Sequence, residues 1–182
     1  GCEGRNYRSL LAVREVDGGQ TLADFRGRRV ACNSPDSQSG YNVLLKMVAP
    51  LSRDGRFFSA VAFSGSHRQS LRELQQGTAD IAAIDCVTWA LLQRHQPEAL
   101  AGLAVIARSP LAPGLPLITS ATTSAATLGL LREALQQLVS DERYRPLCEA
   151  LFICGYSDMR RADYQPLLAW RDEAAARGVV RL

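Results

Sequence analysis

Nine residues, Asn33-Ser34-Pro35-Asp36-Ser37-Gln38-Ser39-Gly40-Tyr41, gather the groups that hold an oxyanion. Ser37 and Ser39 bring hydroxyls, Gln38 brings an amide, and Gly40 lets backbone come close to a ligand. Apolar residues at helical spacing follow (Val43, Leu44, Met47, Val48), so the stretch opens a helix. Arg28 to Cys32, short and partly β-branched, reads as the strand before it. The first N–H groups of a helix have no intrahelical acceptor, and the macrodipole adds partial positive charge there. Strand, small polar loop and helix start therefore make an oxyanion cradle. The plainer alternative is that Ser37 and Ser39 merely cap the helix.

A second loop has the same construction. Phe57 to Phe63 reads as a strand, Ser64-Gly65-Ser66-His67 as the turn, and residues 67–76 as a helix. His67 adds a donor whose strength depends on protonation, with an ordinary pKa near ~6.5. A third junction joins a strand at residues 80–84 to the helix that Cys86 opens, with Asp85 between them. Asp85 suits a helix N-cap, and equally suits accepting the proton of a monoprotonated oxyanion. In an open α/β sheet, loops at the carboxyl ends of neighbouring strands face one crevice. Catalysis is the rival chemistry: Ser39 or Ser66 as nucleophile, His67 as base and Asp85 as its orienter. Neither serine lies in a G-x-S-x-G elbow, and several hydroxyls per loop suit shared ligation better than one activated group.

The elements that position these loops alternate. Tyr7 to Val16 is a strand, ended by Asp17-Gly18-Gly19. Strand 28–33, helix 40–50, strand 57–63, helix 67–76 and strand 80–84 imply an α/β fold with a mostly parallel sheet. A strand at 103–107 follows, then three prolines and a glycine between Ser109 and Pro116, which mark a crossing or hinge. Leu117-Ile118-Thr119 reads as a short strand, and the tail as helices over 124–139, 141–152 and 164–176. Trp89, at helical spacing with Leu92, reads as core; His95 reads as surface; Tyr41 either closes on the site or packs.

Composition narrows the function classes. In 182 residues, apolar content of 47% and charged content of 21% are those of an ordinary globular chain. A net charge of +3, scattered along the chain, gives no basis for nucleic-acid binding. No window approaches the ~18 uninterrupted apolar residues of a membrane span, and no basic-then-apolar leader is visible. The five cysteines (Cys2, Cys32, Cys86, Cys148, Cys154) form no C-x-x-C pair, so neither metal nor cofactor is expected. Cys32 and Cys86 read as buried thiols; a disulfide involving Cys2 stays open, and so does the compartment.

Gly27 to Ala31, Ser37-Gln38-Ser39-Gly40-Tyr41, Ser64-Gly65-Ser66-His67, Gly77 to Asp85 and Ser109 to Pro116 come in an order and spacing that carry a resemblance. The chain resembles the PhnD-like phosphate, phosphite and phosphonate-binding proteins of ABC transporters, members of the type II periplasmic-binding-protein superfamily. The resemblance is close over residues 5 to 120 and loose beyond. It implies a non-enzymatic two-lobed clamp that closes on a small phosphorus oxyanion and is then recognised by an ABC transporter permease. Ser37, Gln38 and Ser39, followed by the candidate Gly40, match the family's hydroxyl-rich anion loop, and His67, with Ser66 beside it, matches its loop histidine. Tyr7 falls near an aromatic of the crossing strand. One complete lobe is expected at 19–109. Residues 1–18 and 110–182 then form hinge strands and part of a second lobe, which lacks an N-terminal portion.

Where family members that hold aminoalkyl phosphonates place acidic residues, this chain has Val87 and Leu115. An ammonium group would find no counter-charge at either position, with Asp85, two residues before Val87, the one acid placed to compensate; phosphate, phosphite or a simple phosphonate fits better. The family implies a periplasmic or membrane-associated extracytoplasmic location. The absent leader leaves a cytoplasmic ligand-sensing domain with the same clamp as another reading, and pairing of two copies over the uncovered surface as a further one.

Overall fold

The computed structural model describes residues 2–182. Gly1, the first residue of the expected 1–18 arm, lies outside the described residues. The strands are β1 (Asn6–Tyr7), β2 (Ser9–Arg14), β3 (Arg29–Cys32), β4 (Ala60–Phe63), β5 (Ile81–Asp85), β6 (Leu103–Arg108) and β7 (Ala112–Pro113). The helices are α1 (Val43–Val48), α2 (His67–Gln75), α3 (Cys86–His95), α4 (Ala125–Ser140), α5 (Arg145–Ala150) and α6 (Gln165–Ala176). Among the described residues, β2 to β6 form one sheet in the order β4-β3-β5-β2-β6, and β1 pairs with β7 in a separate antiparallel ribbon. β3 runs parallel to both β4 and β5, whereas β2 runs antiparallel to both β5 and β6. Four strands thus point one way, and the opposed strand is β2. The helical crossovers at α1 and α2 are what parallel neighbours require.

Strand periodicity decides how the sheet is covered. Side chains alternate between faces along a strand. Leu11 and Val13 of β2, Val30 and Cys32 of β3, and Ile81 and Ala83 of β5 lie in one core cluster with Val43, Leu44 and Val48 of α1. Their sequence neighbours Ala12, Ala31, Ala82 and Ile84 lie in the opposite cluster with Leu71 and Leu74 of α2 and Leu92 of α3. The alanines on that second face leave room for the two helices. Burial on both faces is why β5 is apolar throughout until Asp85. α6 rests on α1, with Ala174 and Val179 buried against Leu45 and Ala49.

Several local expectations change. The strand expected at 57–63 begins only at Ala60. Phe57 and Phe58 instead bury their rings edge-on, with centroids 4.8 Å apart, as a wedge under the sheet. The strand expected from Tyr7 to Val16 breaks at Arg8 into β1 and β2, each pairing with a different partner. The helix expected at 40–50 is a π-helical turn at Gln38–Asn42, then α1, then a 3-10 turn. Leu117-Ile118-Thr119 is not a strand: among the described residues no strand pairs with it, and Leu117 and Ile118 stand exposed. Pro146 sits in the first turn of α5, where its missing N–H is harmless, so the helix starts there rather than kinks.

Candidate functional site

The three strand-to-helix junctions meet. Ser39 Oγ lies 2.9 Å from His67 Nε2. Asp85 Oδ2 lies 3.5 Å from the same nitrogen. Tyr7, buried on β1, completes the group from the crossing ribbon.

Local chemistry builds each piece. Ser37, extended at φ −71°, accepts the Gly40 N–H on its hydroxyl at 3.0 Å and the Tyr41 and Asn42 N–H groups on its carbonyl at 3.1 and 2.9 Å. That satisfies the later orphan donors of the turn, while the N–H groups of Gln38 and Ser39 have no intrahelical acceptor. Gly40 is required by space: a Cβ there would lie 1.9 Å from Asn33 Oδ1. The second loop is bonded to the first through Ser64 N–H on the Cys32 carbonyl (2.9 Å) and Gly65 N–H on the Asn33 carbonyl (3.0 Å). Gly65 makes that turn at φ +88°, a conformation costly for any residue with a Cβ.

Leftover polar atoms concentrate here, with Arg26 Nη1 and Gln96 Oε1 the others among the described residues. Tyr7 Oη, Asn33 Oδ1, Gln38 Nε2 and His67 Nδ1 are buried with no hydrogen-bond partner among the described residues. Unpaired buried polar groups are rare and each calls for a reason. Gln38 is oriented, because Asn42 Nδ2 donates to its Oε1 at 2.6 Å, leaving Nε2 as an unused donor. Burial lowers the His67 pKa below its ordinary value, opposed by the Asp85 carboxylate and the Ala83 carbonyl. The ring is therefore neutral at pH 7. Burial and the Asp85 carboxylate push the Tyr7 hydroxyl up to about 12, the Ser39 hydroxyl opposing them, so Tyr7 is a neutral O–H donor.

The residues expected at the site take distinct places. Ser39, His67, Asp85 and Tyr7 come together, and Ser37, Gln38 and Gly40 form the loop that presents Ser39. Ser66 does not join them: it is exposed, and its hydroxyl caps α2 by accepting the Gln69 N–H at 3.1 Å. Asp85 takes the capping role, accepting the Val87 and Thr88 N–H groups, both at 2.9 Å, and the Thr88 hydroxyl. Tyr41 packs rather than closes, tilted against Phe63 with its hydroxyl accepting from the Leu182 N–H at 3.3 Å. Sequence reading missed Ser9 and Ser109. Ser9 Oγ donates to the Ser39 carbonyl at 2.8 Å, and Ser109 Oγ accepts the Ser9 N–H at 2.8 Å. This buried pair ties the Ser37–Asn42 turn to the two crossing strands, across a separation of a hundred residues that no local pattern reveals.

The geometry differs from that of a catalytic triad. A catalytic triad needs the carboxylate on one ring nitrogen and the nucleophile on the other. Here Ser39 and Asp85 both face Nε2, so the carboxylate and the hydroxyl do not flank the ring on opposite nitrogens. A groove of about 1120 Å³ lies elsewhere, between residues 114–119, α4 and residues 154–159. Its lining is mainly apolar, and its cations Arg5 and Arg132 are paired with Asp163 and Asp158, so it does not suit an anion.

Comparisons with solved structures agree with this architecture. The PhnD protein of Prochlorococcus marinus in complex with methylphosphonate superposes with a TM-score of 0.76 at 13% identity, covering 94% of this chain and 68% of that one. A binding-protein component of an ABC phosphonate transporter from Pseudomonas aeruginosa gives 0.62 at 21% identity, with 96% and 68% covered. A Xanthomonas citri protein bound to ATP gives 0.70 at 18% identity, with 96% and 68% covered. At such identities the likeness shows the fold, that of the type II periplasmic binding proteins, of which this chain spans about 68% of the length. No curated protein matches the sequence. The profile of the ABC transporter phosphonate periplasmic substrate-binding proteins matches residues 2–164, and the chain belongs to that family.

Proposed function

We propose that this chain carries the anion-holding half of a solute-binding protein that captures a small phosphorus oxyanion, either phosphate, phosphite or a simple phosphonate. Family membership supports a solute-binding role, a transporter partner and an extracytoplasmic location. The observation that carries the ligand class is the unused donor set: Gln38 Nε2, Tyr7 Oη and the first N–H groups of the π-helical turn, around the Ser39–His67 contact. Neutral dipoles hold an oxyanion well when they are preorganised, without any side-chain cation. Residues 19–109, with β2 of the preceding arm set into their sheet, form the lobe that carries Gln38 and the π-helical turn; Tyr7 reaches the same donors from the β1–β7 ribbon, and the rest of the chain serves the hinge and the second lobe. Closure of the two lobes completes the shell, and the closed form is what a permease recognises.

The ligand's tail is bounded by what is absent. Val87 packs beside Tyr7 and Cys86, and Leu115 is exposed. The Asp85 carboxylate is engaged by the first turn of α3 and does not substitute for an acid at either position. An aminoalkyl group gains nothing here.

Calorimetric titration with phosphate, phosphite, methylphosphonate, 2-aminoethylphosphonate and sulfate tests the reading. One simple phosphorus anion is expected to bind best, and Ser39→Ala or His67→Ala to weaken it by about tenfold or more, the worth of one or two charge-assisted hydrogen bonds. Preference for the aminoethyl compound or for sulfate overturns the ligand class. Protonation gives a second expectation. The neutral His67 becomes easier to protonate beside a bound anion, so binding takes up a proton and strengthens as pH falls toward and below ~6.5. Titration in buffers of different ionisation enthalpy reads that proton directly, and His67→Gln is expected to abolish the uptake.

A further inference from the structure

Two thiols from distant parts of the sequence meet beside the anion site. Cys2 Sγ lies 3.7 Å from Cys86 Sγ, with Cys2 exposed on the arm before β1 and Cys86 buried as the first residue of α3. Around them, Tyr7 of β1 and Ala112 of β7 pack on Cys86. The Cys86 N–H donates to the Arg8 carbonyl at 3.0 Å, so the arm is already held against this helix start. The remaining cysteines are placed differently. Cys32 is buried within β3, its thiol pushed up to about 12 by burial, and Cys148 is buried beneath α4 with its sulfur on the Leu138 carbonyl. Cys154 is exposed.

We infer that Cys2 and Cys86 form a disulfide that straps the Tyr7-bearing arm to the first turn of α3. The oxidant is a disulfide supplied from outside, whether a small molecule or a thiol oxidoreductase. Cys2 thiolate attacks one sulfur of that disulfide, forming a mixed disulfide and releasing the first reductant thiol. Cys86, as thiolate, attacks the Cys2 sulfur and releases the second. Two cysteine thiols are oxidised, one external disulfide is reduced to two thiols, and the protons pass to those leaving thiolates. Burial and the Cys86 thiol raise the Cys2 pKa, so closure runs faster as pH rises. Asp85, whose carboxylate caps the same helix turn, and Tyr7 are the site groups the strap would fix. The pairing itself is independent of which anion binds. Only its prevalence in the cell rests on the extracytoplasmic placement proposed above, since oxidising compartments keep disulfides.

The test incubates the protein with oxidised glutathione at pH 8, digests it under non-reducing conditions and maps cross-linked peptides by mass spectrometry. A Cys2–Cys86 peptide, lost on reduction and absent from Cys2→Ser, is the expected result. The loop it closes is long, so oxidised protein is expected to melt roughly 5–15 °C above reduced protein, with no such difference in Cys2→Ser. Because Cys2 is exposed, that variant leaves the fold in place, and Cys154→Ser is expected to cross-link like the unaltered protein. Cross-linking of Cys2 to Cys154 instead, or free thiols at both Cys2 and Cys86 after oxidation, overturns the inference. Either result leaves the anion titrations to be judged on their own.

Discussion

Gly40→Ala is expected to weaken anion binding by at least tenfold and to destabilise the protein by about 1–3 kcal/mol, the usual penalty for overpacking a filled site. The added Cβ would meet Asn33 Oδ1 at 1.9 Å, Asn33 Cγ at 3.0 Å and the Ser37 hydroxyl at 3.2 Å. Its backbone is not the obstacle, since Gly40 lies within a right-handed turn that alanine adopts readily. The clash is between side chains. The Asn33 backbone is fixed by the Gly65 N–H on its carbonyl, so its amide can give way only by turning about its own side-chain bonds in the buried position its Oδ1 occupies. Ser37 cannot yield without loosening its hold on the Gly40 N–H, and Ser39 would then lose its registration on His67. The cause is separable from a general loss of fold. Asn33→Ala combined with Gly40→Ala removes the colliding amide and is expected to recover most of the stability. Thermal melts and anion titrations of both variants decide the matter. Gly40→Ala that melts and binds like the unaltered protein would show that the two loops are not packed this tightly.

What the sequence discloses, and what it hides, follows from how far apart the interacting residues are. The three junctions are legible because turn chemistry is local: small hydroxyl residues, a glycine, then helical spacing. The strands β3 and β5 are legible because their apolar runs are buried on both faces. Asp85 shows its capping role within three residues of itself. By contrast, Ser9 and Ser109 each look unremarkable in sequence and gain their role only when β2 and β6 lie side by side. Arg8, where the expected long strand divides, carries no breaking residue; the division comes from two different pairing partners. Leu117 to Thr119 has strand composition and no strand, because composition supplies a preference and only a neighbour supplies hydrogen bonds. Ser66 carried the right hydroxyl in the right loop, but the helix start behind it claims that hydroxyl. A cap and a ligand donor have the same residue types, and only geometry separates them.

The opposite end of β5 carries the second large effect. Asp80 is buried and accepts the Arg29 backbone N–H at 3.0 Å, Arg29 Nε at 2.9 Å, Arg29 Nη2 at 2.8 Å and Arg14 Nη2 at 3.0 Å. Through this one carboxylate the starts of β3 and β5 are locked together and joined to the end of β2. Asp80→Ala is expected to cost roughly 2–3 kcal/mol at pH 7, below the usual cost of breaking a fully buried ion pair because the Arg29 side chain is 46% exposed and water replaces part of the loss. Asp80→Asn keeps the shape and removes the charge, so it isolates the electrostatic share. Hydrogen bonds from Arg29 lead the effects that hold this carboxyl well below its usual range, and Arg14 adds to them. A carboxyl depressed in the folded state contributes stability that is complete above its unfolded value of ~3.9 and is lost as pH falls below it. The gap in stability between the unaltered protein and Asp80→Asn is therefore expected to be widest at neutral pH and to narrow steadily below about pH 4. Urea unfolding at neutral and acid pH measures that gap. A gap of the same size in acid would mean that shape, not charge, joins the strands. Anion binding offers the internal control: Ser39, His67 and Asp85 sit at the far end of β5, so Asp80→Asn is expected to bind its anion as the unaltered protein does wherever both are folded.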